Sequence, residues 1–183
     1  MTSDIPVLLC DGEIGLRVPE RADAVFYWKM RNDLRVAEQL ISYSRGVPLY
    51  KIEKWLDGLR DTDDPLIFTA VRSTPDDSVP IGFVKAYKFD KVAQTCWAGL
   101  SLFDLDTLGN GYGTKILGLL LSYLDQWLNM RKISVEVLDD NDRAISLYKK
   151  FGFVQEGKMR DQYFIKGRLR DIYIMSRFSS TNV

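Results

Sequence analysis

"LSLFDLDTLGNGYGTKILGLLLSYLDQWLNMRKISVEVL", residues 100–138, passes from one β-forming run to another through a glycine-rich turn and a long apolar segment. From about Tyr112 to Met130 the positions Leu117, Leu120, Leu121, Leu124 and Leu128 share one helical face. On either side, "QTCWAGLSLFDL" (94–105) is rich in β-formers and "KISVEVL" (132–138) is a near-continuous apolar run, the kind buried on both faces. Strand, loop, helix, strand is a βαβ crossover, which predicts parallel strands and a right-handed connection.

The loop places Gly109, Gly111 and Gly113 at alternate positions before the helix. A helix N-terminus offers unpaired N–H groups and the positive end of its dipole, and glycines let an anion approach that backbone. Phosphate is one reading; a tight turn needing positive φ is the other. A dinucleotide fingerprint would read GxGxxG with an acid after the next strand, where Asp139 or Asp140 could serve. Here the spacing is GxGxG and no further βα repeats follow. A nucleotide triphosphate loop needs Gly-Lys before Ser or Thr, whereas Gly113 precedes Thr114 and then Lys115.

Upstream, "EIGLRV" (13–18) reads as a strand, and "ERADAVFYWKMRND" (20–33) sets Ala24, Tyr27, Trp28 and Arg31 at helical spacing. "PLYKIEKWLDGLR" (48–60) brings Ile52, Trp55, Leu56 and Leu59 to one helical face, so the N-terminal third is expected to be mostly helical. "LIFTAVR" (66–72) and "IGFVKAYKF" (81–89) flank the turn cluster "STPDDSVP" (73–80) as a hairpin. Downstream, "DDNDRAISLYKKFG" (139–152) has N-cap candidates at Asp140 and Asn141, an apolar face of Ala144, Leu147, Tyr148 and Phe151, and Gly152 at C′. "DQYFIKGRLRDIYIMSRF" (161–178) suits a final hairpin about Lys166-Gly167. Strands before, between and after helices indicate a mixed α/β sheet rather than a doubly wound one.

At 183 residues and 46% hydrophobic, the chain is the size of one domain spanning 1–183. Equal counts of 25 basic and 25 acidic residues give no global charge to draw it to nucleic acid or an anionic membrane. Cys10 and Cys96 show no paired-ligand spacing, and the start lacks a basic leader segment, so a cytoplasmic setting is expected. The greasiest run, around Ile116–Leu128, is too short to span a bilayer. Histidine is absent, which excludes Ser-His-Asp and Cys-His machinery and leaves no imidazole for zinc, so no metal is expected.

Loop, helix, strand and the later "NDRAISLYKKFGF" together resemble the GNAT superfamily of acetyl-CoA-dependent N-acetyltransferases. Gly111 and Gly113 match the two small positions of its coenzyme loop, (Gln/Arg)-x-x-Gly-x-(Gly/Ala). Asn141, Ala144, Leu147, Tyr148, Lys150, Gly152 and Phe153 fit its Asn-x-x-Ala-x-x-Leu-Tyr-x-Lys-x-Gly-Phe element. "LRVPERADAVFYWKMRND" and the tail from Phe151 resemble the branch with ribosomal-protein, spermidine and amino-sugar N-acetyltransferases. The resemblance implies a mostly antiparallel mixed sheet with a splayed central parallel pair, flanked by helices. It also implies that Leu108, Gly109, Asn110, Gly111, Tyr112, Gly113 and Thr114 cradle the coenzyme pyrophosphate. Backbone groups of Ser101, Leu102 and Phe103 would meet the pantetheine arm, with Asn141 and Arg143 as further contacts. Leu108 departs from the family, standing where Arg or Gln begins the motif, which implies weaker or differently arranged binding. Lys115, Arg143, Lys149 and Lys150 are nearby cations that could compensate.

By the same resemblance Tyr148 is the general acid toward the coenzyme sulfur. An alkylamine titrates near ~10, so roughly one molecule in a thousand is neutral at pH 7 and a base must take its proton. Without histidine the candidates are carboxylates: Glu136, placed mid-strand in "ISVEVL", and more weakly Asp104. Trp28, Arg31 and Asn32 could line the acceptor cleft. The expected acceptor is a small primary amine, an amino sugar or a polyamine, the latter drawn to "DTDD" (61–64) or "DD" (76–77). A peptide N-terminus is an alternative, and a non-catalytic acyl-CoA-binding module is another of a different class. A homodimer is left open.

Overall fold

The computed structural model describes residues 5–41, 46–74 and 77–179. These form one eight-stranded sheet in the order β1-β2-β3-β4-β5-β6-β8-β7. The strands are β1 (Leu9–Asp11), β2 (Ile14–Arg17), β3 (Leu66–Ser73), β4 (Ser78–Asp90), β5 (Thr95–Leu102), β6 (Lys132–Leu138), β7 (Val154–Ile165) and β8 (Arg168–Phe178). Every neighbouring pair is antiparallel except β5 and β6, as the crossover reading requires.

Helices cover both faces. On one lie α1 (Ala24–Asn32), α2 (Leu34–Ala37) and α3 (Leu49–Gly58); on the other lie α4 (Tyr112–Gln126) and α5 (Asp142–Lys150). Ile116, Leu117, Leu120 and Leu124 of α4 are fully buried, each worth roughly 1.5–3 kcal/mol against exposure. They pack on Val84, Ala86, Ala98, Ile133 and Val135, the inward face of the central strands. A separate cluster of Ala24, Tyr27, Met30, Ile52, Leu56 and Phe103 fills the other side.

Several details depart from the periodicity argument. The N-terminal third also holds β1, and a short α2 follows α1. The first-helix face is Ala24, Tyr27 and Met30, with Trp28 only partly buried. α4 ends at Gln126 with Trp127 as its cap, short of Leu128 and Met130, and the chain beyond it turns at Asn129, whose φ is 52°. The final hairpin starts at Val154, not Asp161. In α5 the deepest positions are Ile145 and Tyr148, with Ala144, Leu147 and Phe151 packed around them. Residues 75–76 of the expected hairpin turn, including Asp76, lie outside the described residues.

The parallel ladder is short. Its registered pairs run from Thr95↔Lys132 to Ala98↔Val135 and stop there. Beyond that point β5 stays on β4 as far as Leu102↔Gly82, and β6 stays on β8 as far as Leu138↔Ile172. Each strand follows its antiparallel partner, so the two diverge. Gly82 permits the approach on the β4 side: a Cβ there would lie 2.5 Å from the Ser101 carbonyl oxygen, closer than any side chain tolerates.

Candidate active site

The divergence of β5 and β6 opens a cavity of about 1220 Å³ that runs from the start of α4 through the sheet to α1 and α3. That exceeds the ~300–1,000 Å³ usual for one small ligand and leaves room for two. Gly99, Leu100, Ser101 and Leu102 line one side of the gap and Glu136, Val137 and Leu138 the other. Phe103 donates its N–H to the Ile81 carbonyl at 2.9 Å, so by the alternation of an antiparallel ladder the Leu100 and Leu102 amides turn away from β4, into the gap.

At the coenzyme-loop end, Gly109 and Gly111 hold positive φ of 93° and 78°, and Gly111 caps α4 with no side-chain bond. The Thr114 and Lys115 N–H groups return to the Gly111 carbonyl at 3.0 and 3.3 Å. Those of Gly109 to Gly113 find no acceptor among the described residues. A Cβ at Gly109 or Gly111 would meet nothing within 4 Å. The helix therefore presents open, unspent donors, the arrangement that suits an anion. Gly113 differs: it is ordinary helix, and a Cβ there would touch Leu147 at 3.6 Å.

Tyr148 projects from α5, its ring 5.4 Å from that of Phe153. It is 5% exposed and lines the cavity, yet its hydroxyl bonds to no described residue. Burial, and secondarily Tyr87, push its phenol well above the ordinary range, so it holds its proton. Across the gap Glu136 is half-buried and faces away from Val135 and Val137, on the same side as Lys85 and Tyr87 of β4. Burial and then Glu136 push the Tyr87 phenol up to about 12.

Of the expected residues, Ser101, Leu102, Leu108, Gly109, Gly111, Tyr112, Gly113, Thr114, Glu136, Asn141, Arg143, Tyr148 and Arg31 all line this one cavity, as does Lys150. Asn141 caps α5, accepting the Ala144 N–H at 3.1 Å, and its amide reaches the Gln39 carbonyl at 3.4 Å. The Tyr112 hydroxyl oxygen accepts a hydrogen bond from Arg72 Nη1 at 2.9 Å, which fixes its ring. Leu108 packs against the main core. Phe103 is spent elsewhere, in the aromatic cluster with Tyr27 and Phe83. Asn110 bonds Thr107, and Asn32 clamps Val47 through two bonds of 2.9 Å; neither borders the cavity, nor does Trp28. Asp104 caps the 3-10 turn 105–107, accepting from Asp106. Lys115 and Lys149 lie off this cavity. Lys85, Tyr87 and Tyr163 were not foreseen. Lys85 and Tyr87 alternate with buried Val84 and Ala86 in "VKAYK", a pattern that could have marked them.

Among the described residues no group of three or more metal-ligating side chains converges, and no helix is long and apolar enough to cross a membrane. The family model described as "Acetyltransferase (GNAT) family" matches residues 28–153. A spermidine N(1)-acetyltransferase of Vibrio cholerae is 36% identical over 64 residues, 35% of this chain. That match spans 37% of the relative's own length. An SPbeta prophage-derived uncharacterized N-acetyltransferase of Bacillus subtilis is 26% identical over 156 residues, 85% of this chain and 84% of its own. The fold matches that of the spermidine N-acetyltransferase from Vibrio cholerae, solved in complex with CoA and spermine, with a TM-score of 0.84. The two are 22% identical over 93% of this chain and 98% of that one.

Proposed function

The chain belongs to the GNAT acetyltransferase family, and on that premise we propose that it transfers the acetyl group of acetyl-CoA to a primary amine of a small molecule, an amino sugar or a polyamine. Transfer proceeds by direct attack, in a cytoplasmic setting, with the chain acting as one unit. The observation that carries this reading is the gap beyond Ala98↔Val135, bordered at once by open helix N–H donors, by Tyr148 and by Glu136. Spermidine as the substrate named for the Vibrio cholerae relative supports an amine acceptor.

The residues present fit the cosubstrate. The N–H groups from Gly109 to Gly113 would hold its pyrophosphate, and the inward amides of Leu100 and Leu102 would hold the pantetheine arm. When bound, acetyl-CoA supplies an activated acyl group as a thioester. Leu108 leaves the anion to backbone donors, with Arg143 and Lys150 as the cations on the same cavity wall.

Glu136 is the base: its carboxylate borders the acceptor side and can take a proton from the incoming ammonium, directly or through water. Tyr148 is the acid, since its buried phenol carries a proton at neutral pH and lies in the wall of the same cavity. Asn141 serves first as a helix cap and, through Gln39, ties the start of α5 to the segment after α2.

The test is thiol release from acetyl-CoA over a panel of amines and peptides, run beside calorimetric binding of CoA. Release with small amines is expected. Release only with peptide N-termini would move the acceptor to protein, and CoA binding without any release would make the chain a binding module.

A further inference from the structure

The cavity wall facing α1 and α3 is unevenly charged, with Arg31, Lys51, Lys85 and Lys88 set against Asp64 and Glu136. Asp64 is already satisfied, because its carboxylate accepts the Lys88 and Phe89 N–H groups at 3.1 and 3.2 Å. Lys85 and Glu136 differ from it. Both are half-buried and both border the cavity. Neither makes an ion pair or hydrogen bond with any described residue.

Lys85 is nevertheless held in place. Its side chain crosses Gly99, where a Cβ would meet Lys85 Cε at 3.4 Å, and its ammonium lies 4.5 Å from the centre of the Tyr87 ring. Gly99 is the first β5 residue past the parallel ladder, so the ammonium sits over the open end of the gap. Burial, then Arg31, lowers its pKa, and Glu136 offsets this only in part.

Two opposite charges, held apart and partly stripped of water, each cost free energy until a partner arrives. We infer that the acceptor is an amine carrying an anionic group, carboxylate or phosphate, on the same small molecule, with Lys85 selecting the anion while Glu136 receives the amine. This rests on the acetyl-transfer reading of the site and narrows it. A polyamine would instead lay its further ammonium groups along a wall that already carries Lys51, Lys85 and Lys88.

The test uses the full chain with acetyl-CoA and matched acceptors: glucosamine 6-phosphate against glucosamine, β-alanine against propylamine, and spermidine. Wild type, Lys85→Met, Lys85→Gln and Lys85→Arg are compared, with melting temperature and CoA calorimetry on each. In wild type at least one anionic acceptor should exceed its neutral twin in kcat/KM on the order of tenfold or more, mostly through KM. Lys85→Met and Lys85→Gln should erase that preference with CoA binding intact, and Lys85→Arg should keep it. Which pair shows the preference tells carboxylate from phosphate. Equal use of each pair, or spermidine favoured alike in wild type and Lys85→Met, overturns the inference and leaves acetyl transfer standing. No thiol release with any acceptor overturns both.

Discussion

Ala98 and Val135 are the last partners of the parallel ladder; their successors, Gly99 and Glu136, stand on opposite sides of the gap. One residue of register thus separates sheet from site.

If the gap depends on β5 lying close to β4, Gly82→Ala should disturb it. The added methyl would strike the Ser101 carbonyl oxygen, which is backbone and cannot rotate aside. The expected cost is roughly 1–3 kcal/mol in urea unfolding, as for overpacking elsewhere. CoA affinity should fall with it, because β5 must shift toward β6. Unchanged CoA calorimetry in a folded Gly82→Ala protein would detach Gly82 from the site.

The two helix-start glycines should separate by kind. Gly111→Ala forces a side chain into a left-handed conformation and should cost about 1–2 kcal/mol of stability. Gly113→Ala meets only ordinary contact with Leu147 and should leave stability nearly unchanged. A loss of CoA affinity in Gly113→Ala, with melting temperature preserved, would then report the space the ligand itself needs.

Tyr148→Phe removes the hydroxyl and keeps the ring on Phe153. Turnover should drop about 10²–10⁴-fold while CoA still binds. Equal turnover in the variant would remove Tyr148 from the chemistry. In wild type the raised phenol pKa keeps the proton in place throughout the mildly alkaline range.

Alkaline stability should carry the mark of Cys96. Burial pushes its thiol from 9.0 up to about 12. The folded state therefore holds a proton that the unfolded chain releases above pH 9, and the stability this contributes is complete below pH 9 and lost as pH climbs toward 12. Each pH unit in that window removes about 1.4 kcal/mol. Tyr87, raised to about 12, adds a second slope from pH 10. Melting curves for wild type should fall from pH 9, and those for Cys96→Ala should stay flat until about pH 10. Coincident slopes would show that Cys96 titrates freely.

The central architecture was legible because its signals are local. "KISVEVL" coincides with β6, Asn141 is the α5 cap, and Gly152 has the positive φ its place after α5 implies. What escaped was set by tertiary placement. Phe103 lies only two residues beyond Ser101, yet its N–H and ring are claimed by Ile81 and Tyr27. Asn32 looked available beside an aromatic helix, but a chain segment fifteen residues on uses both ends of its amide. Lys85 and Tyr87 do not stand out because a single sequence does not tell which face of β4 meets a cavity rather than a second layer of core. The buried Arg17–Asp23 pair, at 2.6 and 2.8 Å and joined to Tyr27 through Thr69, is equally invisible, since the four residues of this network come from four separate elements.

The two apolar clusters, one under α4 and the other under α1 and α3, have a bearing on how this protein can change. They lie on opposite faces of one sheet, and substitutions that share no partners sum rather than interact. Acceptor choice can therefore drift by altering α1, α3 and the outward residues of β4 while the machinery for the acyl donor is inherited intact. Chimeras that exchange the first helical layer between relatives should keep donor affinity and take their acceptor preference from whichever parent supplied that layer.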